Sequence, residues 1–331
     1  MEDAVTAVTA VPQLDRVVFR TFRGSDDYPA LARIINACAQ GEGDDRVETA
    51  EALASAYDHL ERCDPTRDLL VAEVDGMPVA YSRVFWDDEE DGRIYKLVCF
   101  VDPAFGGRGL GSALLDWNEA RLREIAADHD VPTKLVQAFV ADANEAASAL
   151  IREAGYEPVT YMAQMVRPSV DDVPDHPLPD GLEIRPVRDE DIRTIWEADV
   201  EAFKDHWGFV DQSEEDYQRF IEFPYHDPTL WKIAWDGEGV AGQVKSFIDK
   251  AQNDAHGRQR GWTESISTSR RWRRRGVAKA LIVESIRELA ARGMTEVALG
   301  VHTENPNGAY ALYEGLGYEL VRTWTTYRKR L

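Results

Sequence analysis

An internal repeat of about 160 residues constrains the fold of this chain more than any other feature of its sequence. Residues 18–27 correspond to residues 183–191, and in both stretches a short strand pattern runs into an acidic helix start. Residues 69–76 correspond to residues 231–237, and both end in Asp-Gly, a hairpin turn signal. Helices alternate with strands in each copy. The repeat therefore predicts an α/β protein of two tandem domains, each a mixed, twisted sheet with helices on both faces.

The segment between the two copies sets the predicted domain boundary. Residues 168–181 contain four prolines and four aspartates, a composition that disfavours helices and strands. We predict an N-terminal tail over residues 1–16, a first domain over 17–168, a linker over 169–181 and a second domain over 182–331. A chain of 331 residues is long enough for two domains of ordinary size.

Charge and cysteine content exclude several classes of protein. A net charge of −22 disfavours nonspecific nucleic-acid binding, in spite of one local arginine cluster. Cys38, Cys63 and Cys99 lack the spacing of metal ligands, so we expect reduced thiols and no metal site. No run of 18 apolar residues occurs, and the first residues lack the basic start and apolar core of a signal peptide. We therefore expect a cytoplasmic protein with no membrane partner.

The arginine cluster lies in a stretch, Ser265–Leu281, that combines a strand, a short turn and a helix. Apolar residues recur at helical spacing from Val277 onwards, and Gly276 stands where that helix begins. A helix N-terminus offers unpaired N–H groups and a partial positive charge, which together suit a phosphate. The stretch therefore predicts a site for a polyphosphorylated ligand. The alternative is a basic helix start on a solvated surface.

Two motifs of the second half resemble those of the GNAT N-acetyltransferase superfamily. Arg273-x-x-Gly276-x-Ala278 resembles the motif that binds the pyrophosphate of acetyl-CoA, and residues 305–318 resemble the closing motif of that family. The resemblance extends over both halves of the chain apart from the linker, and it implies acetyl-CoA as cosubstrate and no metal. The residues that it implies for binding CoA in the second half are Ile266, Thr268, Arg273, Arg274, Gly276, Val277, Ala278, Lys279, Asn305 and Asn307.

The same resemblance implies a catalytic tyrosine. In the closing motif a tyrosine that faces the thioester follows a helix alanine by four residues, and Tyr313 holds that position relative to Ala309. A phenol beside the sulfur can donate a proton as the thiolate leaves, which is general-acid catalysis. The alternative is a core aromatic residue whose hydroxyl is bound by a nearby acceptor.

The candidates for a general base and for the acceptor site are Glu264 and a short loop. Glu264 lies two residues beyond the usual glutamate position of the family, which is Trp262 in this chain. Two residues along a strand preserve the face, so Glu264 is the candidate base, with a surface carboxylate as the alternative. Asp205, His206 and Trp207 follow the first helix of this half, where substrate loops of the family lie. His206 is either a base acting through water or a packing residue.

The first half departs from the family pattern. Gly106 replaces the expected arginine or glutamine, and Ile151, which cannot donate a proton, stands where the second half has its tyrosine. The first domain is therefore predicted to be degenerate, although it could still bind CoA. The residues implied for that are Arg108, Gly109, Gly111 and Asn144.

The leading hypothesis is an acetyl-CoA-dependent N-acetyltransferase that acts on a small-molecule amine, as a monomer or homodimer, with its chemistry in the second domain. Two alternatives stay open. Tandem GNAT domains with a weakened first copy resemble the mycothiol synthases, which implies acetylation of a cysteinyl amino-sugar conjugate. A noncatalytic regulator that binds acetyl-CoA would keep the phosphate site without the chemistry.

Overall fold

The computed structural model of the chain describes residues 13–89, 92–237, 239–303 and 308–331. These residues form two compact units. Unit 1 consists of the described residues up to Thr160 together with Trp324–Leu331, and unit 2 consists of Tyr161–Thr323. The two units divide the chain after Thr160 and after Thr323. The predicted domain limits at 168 and 182 describe the sequence repeat and remain predictions.

Unit 1 contains the predicted strands and helices in the predicted order, and two further short helices between residues 50 and 68. Its elements are β1 (Val17–Thr21), α1 (Tyr28–Glu42), α2 (Ala50–Asp58), α3 (Pro65–Asp68), β2 (Leu69–Val74), β3 (Met77–Glu89), β4 (Gly92–Val101), α4 (Leu110–Ala127), β5 (Lys134–Ala141), α5 (Glu145–Glu153) and the start of β6 (Glu157–Arg167).

Unit 2 follows the same order with two differences: a 3-10 turn over Pro228–Leu230 stands where unit 1 has α3, and an additional helix, α8, lies between β9 and β10. Its elements are the remainder of β6, β7 (Glu183–Ile184), α6 (Ile192–Phe203), α7 (Glu214–Ile221), β8 (Lys232–Trp235), β9 (Val240–Phe247), α8 (Lys250–His256), β10 (Arg260–Thr268), α9 (Val277–Ala291), β11 (Glu296–His302), α10 (Ala309–Glu314) and the start of β12 (Glu319–Arg330).

The sheets are mixed, as the repeat predicted. The strand order is β1-β2-β3-β4-β5-β12 in unit 1 and β6-β11-β10-β9-β8-β7 in unit 2. The β4–β5 and β10–β11 pairs are parallel, and the other pairs within each unit are antiparallel. Parallel neighbours need a crossover, which α4 provides in unit 1 and α9 in unit 2.

The two closing strands are exchanged between the copies of the repeat. The last strand of the first copy, β6, pairs with β11 of unit 2 from Met162 to Arg167. The last strand of the second copy, β12, pairs with β5 of unit 1 from Trp324 to Arg330. Each sheet is therefore completed by a strand from the other half of the sequence.

Helix α9 packs closely on the sheet of unit 2 because glycines leave room for it. A Cβ at Gly242 would lie 2.8 Å from Val277 Cγ1, and a Cβ at Gly261 would lie 2.7 Å from Leu289 Cδ2. These contacts hold the first and fourth turns of α9 against the strands. The position of the helix N-terminus relative to the sheet is thereby fixed.

The linker residues carry no helix or strand between Arg167 and Glu183, in agreement with their composition. They are nevertheless anchored, since the Arg167 guanidinium donates to the carbonyls of Ser169 and Asp171. Within the four described ranges, no helix has the length and apolar character needed to cross a membrane.

Candidate active site

The site is built around a place where two parallel strands of unit 2 stop pairing. β10 and β11 pair from Arg260 to Trp262 on one side and from Glu296 to Ala298 on the other. Two residues further along, the Glu264 carboxylate accepts a hydrogen bond of 2.8 Å from the Gly300 amide through Oε1. A side chain thus takes the place of a backbone acceptor, and a carboxylate lies at the opening between the strands.

A bulge in β10 follows Glu264 directly. The register against β9 shifts between Glu264 and Ser267, and Ser265 has a φ of 47°. A bulge re-aims the side chains beside it and is common next to functional sites. Here it precedes the arginine turn, which is residues 269–276 between β10 and α9.

The surroundings of Glu264 favour its protonated form more than water would. Burial raises the pKa of the Glu264 carboxyl to about 7, while backbone hydrogen bonds from Gly300 and Ser265 oppose the shift. A carboxyl that titrates near neutral pH can accept a proton and release it again under ordinary conditions.

Tyr313 lies on α10, and its side chain is buried with 6% exposure. Burial raises the pKa of its phenol, and the nearby Glu264 charge raises it further. The phenol therefore keeps its proton at neutral pH. Tyr318 packs beside it, with ring centroids 6.0 Å apart.

The arginine turn presents backbone toward the start of α9. Gly276 is the N-cap residue at φ 87°, and Arg274 is also left-handed at φ 60°. No heavy atom lies within 4 Å of a Cβ added at Gly276, so the backbone there is open to an approaching ligand. Such a helix start, with its unpaired N–H groups, is suited to an anion.

Arg273 ties this turn to the end of α6. Its Nε donates to Thr268 O at 3.2 Å, its Nη2 to Ala202 O at 3.1 Å, and its Nη1 to Asp205 Oδ2 at 2.6 Å. Arg270 holds the other oxygen of Asp205 at 2.7 Å. These hydrogen bonds keep the pKa of Asp205 below its usual range, so Asp205 is a fixed anion.

The loop after α6 contributes aromatic rings and an imidazole. The Trp207 ring lies 6.0 Å from that of His302 at the end of β11, and the His206 ring lies 4.4 Å from that of Phe203. Burial lowers the pKa of both histidines, and the nearby His302 charge lowers that of His206 further. Both imidazoles are therefore neutral at neutral pH.

One cavity of about 980 Å³ in unit 2 joins these features. It brings together twelve of the residues singled out from the sequence, although Asp205 itself is not among its lining residues. The twelve are His206, Trp207, Glu264, Ile266, Thr268, Arg273, Arg274, Gly276, Val277, Ala278, Lys279 and Tyr313. Asn305 and Asn307 lie outside the described residues.

Sequence patterns missed five titratable residues that line the same cavity: Asp199 on α6, Asp216 and Arg219 on α7, Lys245 on β9 and His302 on β11. Lys245 is directly opposite Glu264 in the β9–β10 ladder. A strand pattern shows which side chains share a face, but not which residue of another strand lies beside them. No local sequence signal could therefore have found this pair.

The residues singled out in the first half lie in unit 1, at the corresponding turn. Gly109 is the N-cap of α4 at φ 87°, and the Arg108 guanidinium carbon lies 5.8 Å from the Phe105 ring centroid. A Cβ at Gly111 would lie 3.3 Å from Leu150 Cδ2. The backbone conformation of the turn is therefore retained, and CoA binding here stays a prediction.

Asn144 has structural contacts on both sides of its amide. Its oxygen accepts from the Ala147 amide at 3.0 Å, which caps α5, and its Nδ2 donates to Glu42 Oε1 at 2.8 Å. These contacts explain why an asparagine stands here without reference to a ligand. Its predicted role in binding CoA is not tested by them.

Solved structures support the architecture. A GCN5-related N-acetyltransferase from Sphaerobacter thermophilus is 27% identical to this chain, with a TM-score of 0.73 and 96% of each chain covered. A tandem GNAT protein from the clavulanic acid biosynthesis pathway is 15% identical and shares the fold, with a TM-score of 0.64 over 95% of this chain and 98% of its own.

Curated relatives of similar sequence share the name mycothiol acetyltransferase. Mycothiol acetyltransferase of Salinispora tropica is 26% identical over 310 residues, which are 93% of this chain and 94% of that protein. Mycothiol acetyltransferase of Catenulispora acidiphila is 28% identical over 241 residues, which are 72% of this chain and 73% of that protein.

Each unit is mixed α/β, and in unit 2 a carboxylate, a phenol and an open helix N-terminus meet at one cavity. The chain belongs to the acetyltransferase (GNAT) family, whose model matches residues 29–156 and again residues 192–318. The family resemblance and the tandem arrangement predicted from the sequence are thereby confirmed. Among the described residues no group of three or more His, Cys, Asp or Glu side chains could hold a metal ion.

Proposed function

We propose that this chain transfers an acetyl group from acetyl-CoA to a primary amine of a small molecule, with the chemistry in unit 2. The observation that carries the proposal is the shared cavity, in which Glu264 and Tyr313 lie together with the start of α9. A titratable acceptor and a protonated donor at one cavity are what a proton-balanced acyl transfer needs.

The residues at the turn fit acetyl-CoA as the donor. The glycine at the helix start leaves the backbone open, and the exposed helix N-terminus favours the negative charge of a pyrophosphate. We expect the backbone from Arg274 to Lys279 to hold the phosphates, with Ile266 and Thr268 beside the pantetheine arm. Acetyl-CoA supplies a thioester whose acyl carbon is open to attack and whose sulfur can leave as a thiolate.

Glu264 would act as the general base. An amine enters the site mainly as an ammonium ion and must lose a proton before its nitrogen lone pair can attack. A carboxylate with a pKa of about 7 can take that proton, and its hydrogen bond from Gly300 holds Oε1 in place.

Tyr313 would act as the general acid. Its phenol stays protonated in the folded protein because burial and the Glu264 charge both raise its pKa. It can therefore donate its proton at the hydroxyl oxygen to the departing sulfur. The amine nitrogen loses two protons, one to Glu264 before the attack and a second as the amide forms, while the departing sulfur takes one from Tyr313. The second nitrogen proton can pass to the Tyr313 phenolate, directly or through water, and Glu264 releases the first to solvent, which restores both groups.

Acetylation of a cysteinyl amino-sugar conjugate is the second candidate, favoured by the name shared by the curated relatives. Their identity to this chain is 26% and 28%, which leaves the acceptor open. Both candidates use the same donor and the same residues of unit 2. They differ only in the acceptor.

A thiol-release assay with acetyl-CoA and a panel of primary amines tests the proposal, with titration of acetyl-CoA by calorimetry alongside. The panel includes simple alkylamines, amino-acid amides, glucosamine and a cysteinyl glucosamine. We expect binding of acetyl-CoA and amine-dependent thiol release. Binding without release from any amine would favour the noncatalytic regulator, and absence of binding would refute the proposal.

A further inference from the structure

A largely buried polar network on α6, β9 and β10 contributes Asp199, Lys245 and Ser267 to the lining of the cavity. Lys245 Nζ donates to Asp199 Oδ2 at 2.5 Å, and Ser267 Oγ donates to Asp199 Oδ1 at 2.7 Å. Gln243 Nε2 also donates to Asp199 Oδ1, at 3.1 Å. Asp199 thus accepts three hydrogen bonds, and its charge is balanced by the ammonium of Lys245.

Lys245 has donor capacity beyond this ion pair. Its side chain is only 7% exposed, yet it lines the cavity. An ammonium has three N–H donors, and in the described part of the chain one of them is bound by Asp199. The Phe220 ring lies 4.8 Å from Nζ and offers only a weak acceptor. A buried donor without a strong acceptor is costly, so a ligand oxygen at this position would be stabilised.

Lys245 lies close to the position that the proposed function gives to the reacting amine. It is paired with Glu264 across the antiparallel β9–β10 ladder, so both side chains leave the same face of the sheet. Neighbouring strands are about 4.8 Å apart. An amine that gives its proton to Glu264 therefore places the atoms next to its nitrogen within reach of Lys245.

The net charge of the Lys245–Asp199 pair determines which kind of acceptor oxygen can bind beside it. Because Asp199 already neutralises Lys245, the pair offers donors with no net positive charge. A carboxylate would bring an uncompensated negative charge beside Asp199 and Glu264, whereas a carbonyl or hydroxyl oxygen would not. We propose that Lys245 determines acceptor specificity by donating to an uncharged oxygen next to the amine of the acceptor, with Asp199 holding Lys245 in position.

This inference rests on the proposed function, and three small probes test it. Alaninamide carries an amine and an uncharged carbonyl, alanine replaces that carbonyl by a carboxylate, and ethylamine lacks both. Binding of each probe to the CoA-saturated protein is measured by calorimetry, and kcat/KM is measured by thiol release. A hydrogen bond to a charged donor implies that alaninamide is preferred to ethylamine by at least about tenfold, with alanine no better than ethylamine.

The matched variants are Lys245→Met and Lys232→Met. Lys232 also forms a partly buried ion pair, at 2.9 Å to Glu288, but does not line the cavity. We expect the alaninamide preference to fall to near one in Lys245→Met and to stay at about tenfold in Lys232→Met. If Lys245→Met fails to fold because Asp199 is left unpaired, the double variant Lys245→Met/Asp199→Asn removes both charges and answers the same question.

Three results would overturn the inference: an unchanged preference in the Lys245 variant, a preference for alanine, or no binding of any probe to the CoA-saturated wild type. A purely structural Lys245 would lower the melting temperature and reduce kcat/KM for all probes alike, leaving their ratio unchanged. Loss of acetyl-CoA binding in the wild type would instead refute the proposed function, so the two failures are distinguishable.

Discussion

Unit 1 and unit 2 share one scaffold but place different chemistry at the same point of the sheet. The parallel ladders begin at Arg93 with Lys134 in unit 1 and at Arg260 with Glu296 in unit 2. Counting along the strands from these pairs, Leu97 takes the place of Glu264. Leu97 belongs to the buried core of unit 1 and is paired with Ala138, whereas Glu264 lines a cavity.

At two further positions around the site, a polar residue of unit 2 is replaced by an apolar residue in unit 1. Opposite Leu97 on β3 stands Val84, which is fully buried, where unit 2 has Lys245 opposite Glu264. Ile151 takes the place of Tyr313 and is part of the core of unit 1. Glu264, Lys245 and Tyr313 thus each have an apolar counterpart in unit 1, which can pack but cannot transfer a proton.

The backbones differ as well. The β3–β4 ladder runs from Glu89 with Gly92 to Ala80 with Val101 without a shift of register. The β9–β10 ladder shifts just after Glu264, with Ser265 at a positive φ. The comparison indicates that the scaffold alone does not make the site. The bulge and the polar side chains beside it do.

The largest effect is expected from Tyr313→Phe, which gives unit 2 a residue as unable to donate a proton as Ile151. General-acid catalysis contributes about 10²–10⁴-fold, so turnover at saturating acetyl-CoA should fall in that range while acetyl-CoA affinity changes little. The control is Tyr318→Phe, whose hydroxyl bonds Thr263 Oγ1 at 2.8 Å; it should cost about 1 kcal/mol of stability and little turnover. A wild-type rate for Tyr313→Phe would remove the phenol from the mechanism.

Glu264→Gln should lower kcat/KM for the amine by about 10²-fold, because an amide cannot accept the proton. In the wild type kcat/KM should rise with pH around the Glu264 pKa of about 7. The raised pKa also means that Glu264 stabilises the fold at low pH and that this contribution is lost as the pH rises from about 4.5 to about 7.

The melting temperature of Glu264→Gln relative to wild type should therefore increase over the same pH interval. Thermal unfolding at pH 5 and pH 8 checks this. A difference that stays constant would show that the carboxyl is not desolvated in the folded protein. A flat pH–rate profile would argue against Glu264 as the base.

Gly276→Ala and Gly109→Ala form a matched pair, since both glycines are helix N-caps at φ 87°. Each substitution should destabilise its unit by about 1–2 kcal/mol, the usual penalty for a Cβ in left-handed backbone. Only Gly276→Ala should raise the Kd of acetyl-CoA for unit 2, by about tenfold, by weakening one backbone contact to a charged ligand. Loss of turnover in folded Gly109→Ala would place the working site in unit 1.

The smallest effect is expected from two helix caps. Thr49 caps α2 in unit 1 by accepting from the Ala52 amide, and Ser213 caps α7 in unit 2 by accepting from the Asp216 amide. Removing either hydroxyl should cost about 1 kcal/mol of stability. Because α7 carries residues that line the cavity, Ser213→Ala should also raise the KM of the amine slightly, whereas Thr49→Ala should not. Equal effects on KM would contradict the assignment of the acceptor site to unit 2.

The sequence by itself determined most of the strands and helices, the repeat and the glycine at the start of α9. Strand periodicity, the Asp-Gly turns and Gly276 are local features. Each reflects the backbone preference of the residues that show it, so it can be recognised in a short stretch of sequence. The predicted α9 start and the β10 strand therefore agree with the structure to within a few residues. Glu264 and Tyr313 could also be singled out, because each holds a fixed offset from a recognisable motif.

Only the tertiary structure decided which of these elements complete each unit and which side chains meet. The exchange of β6 and β12 depends on pairing between strands far apart in sequence: β6 with β11, and β12 with β5. The Lys245–Asp199 pair likewise joins β9 to α6 across 46 residues. Such contacts are selected by the total free energy of packing and pairing over the whole chain, so no short stretch of sequence records them.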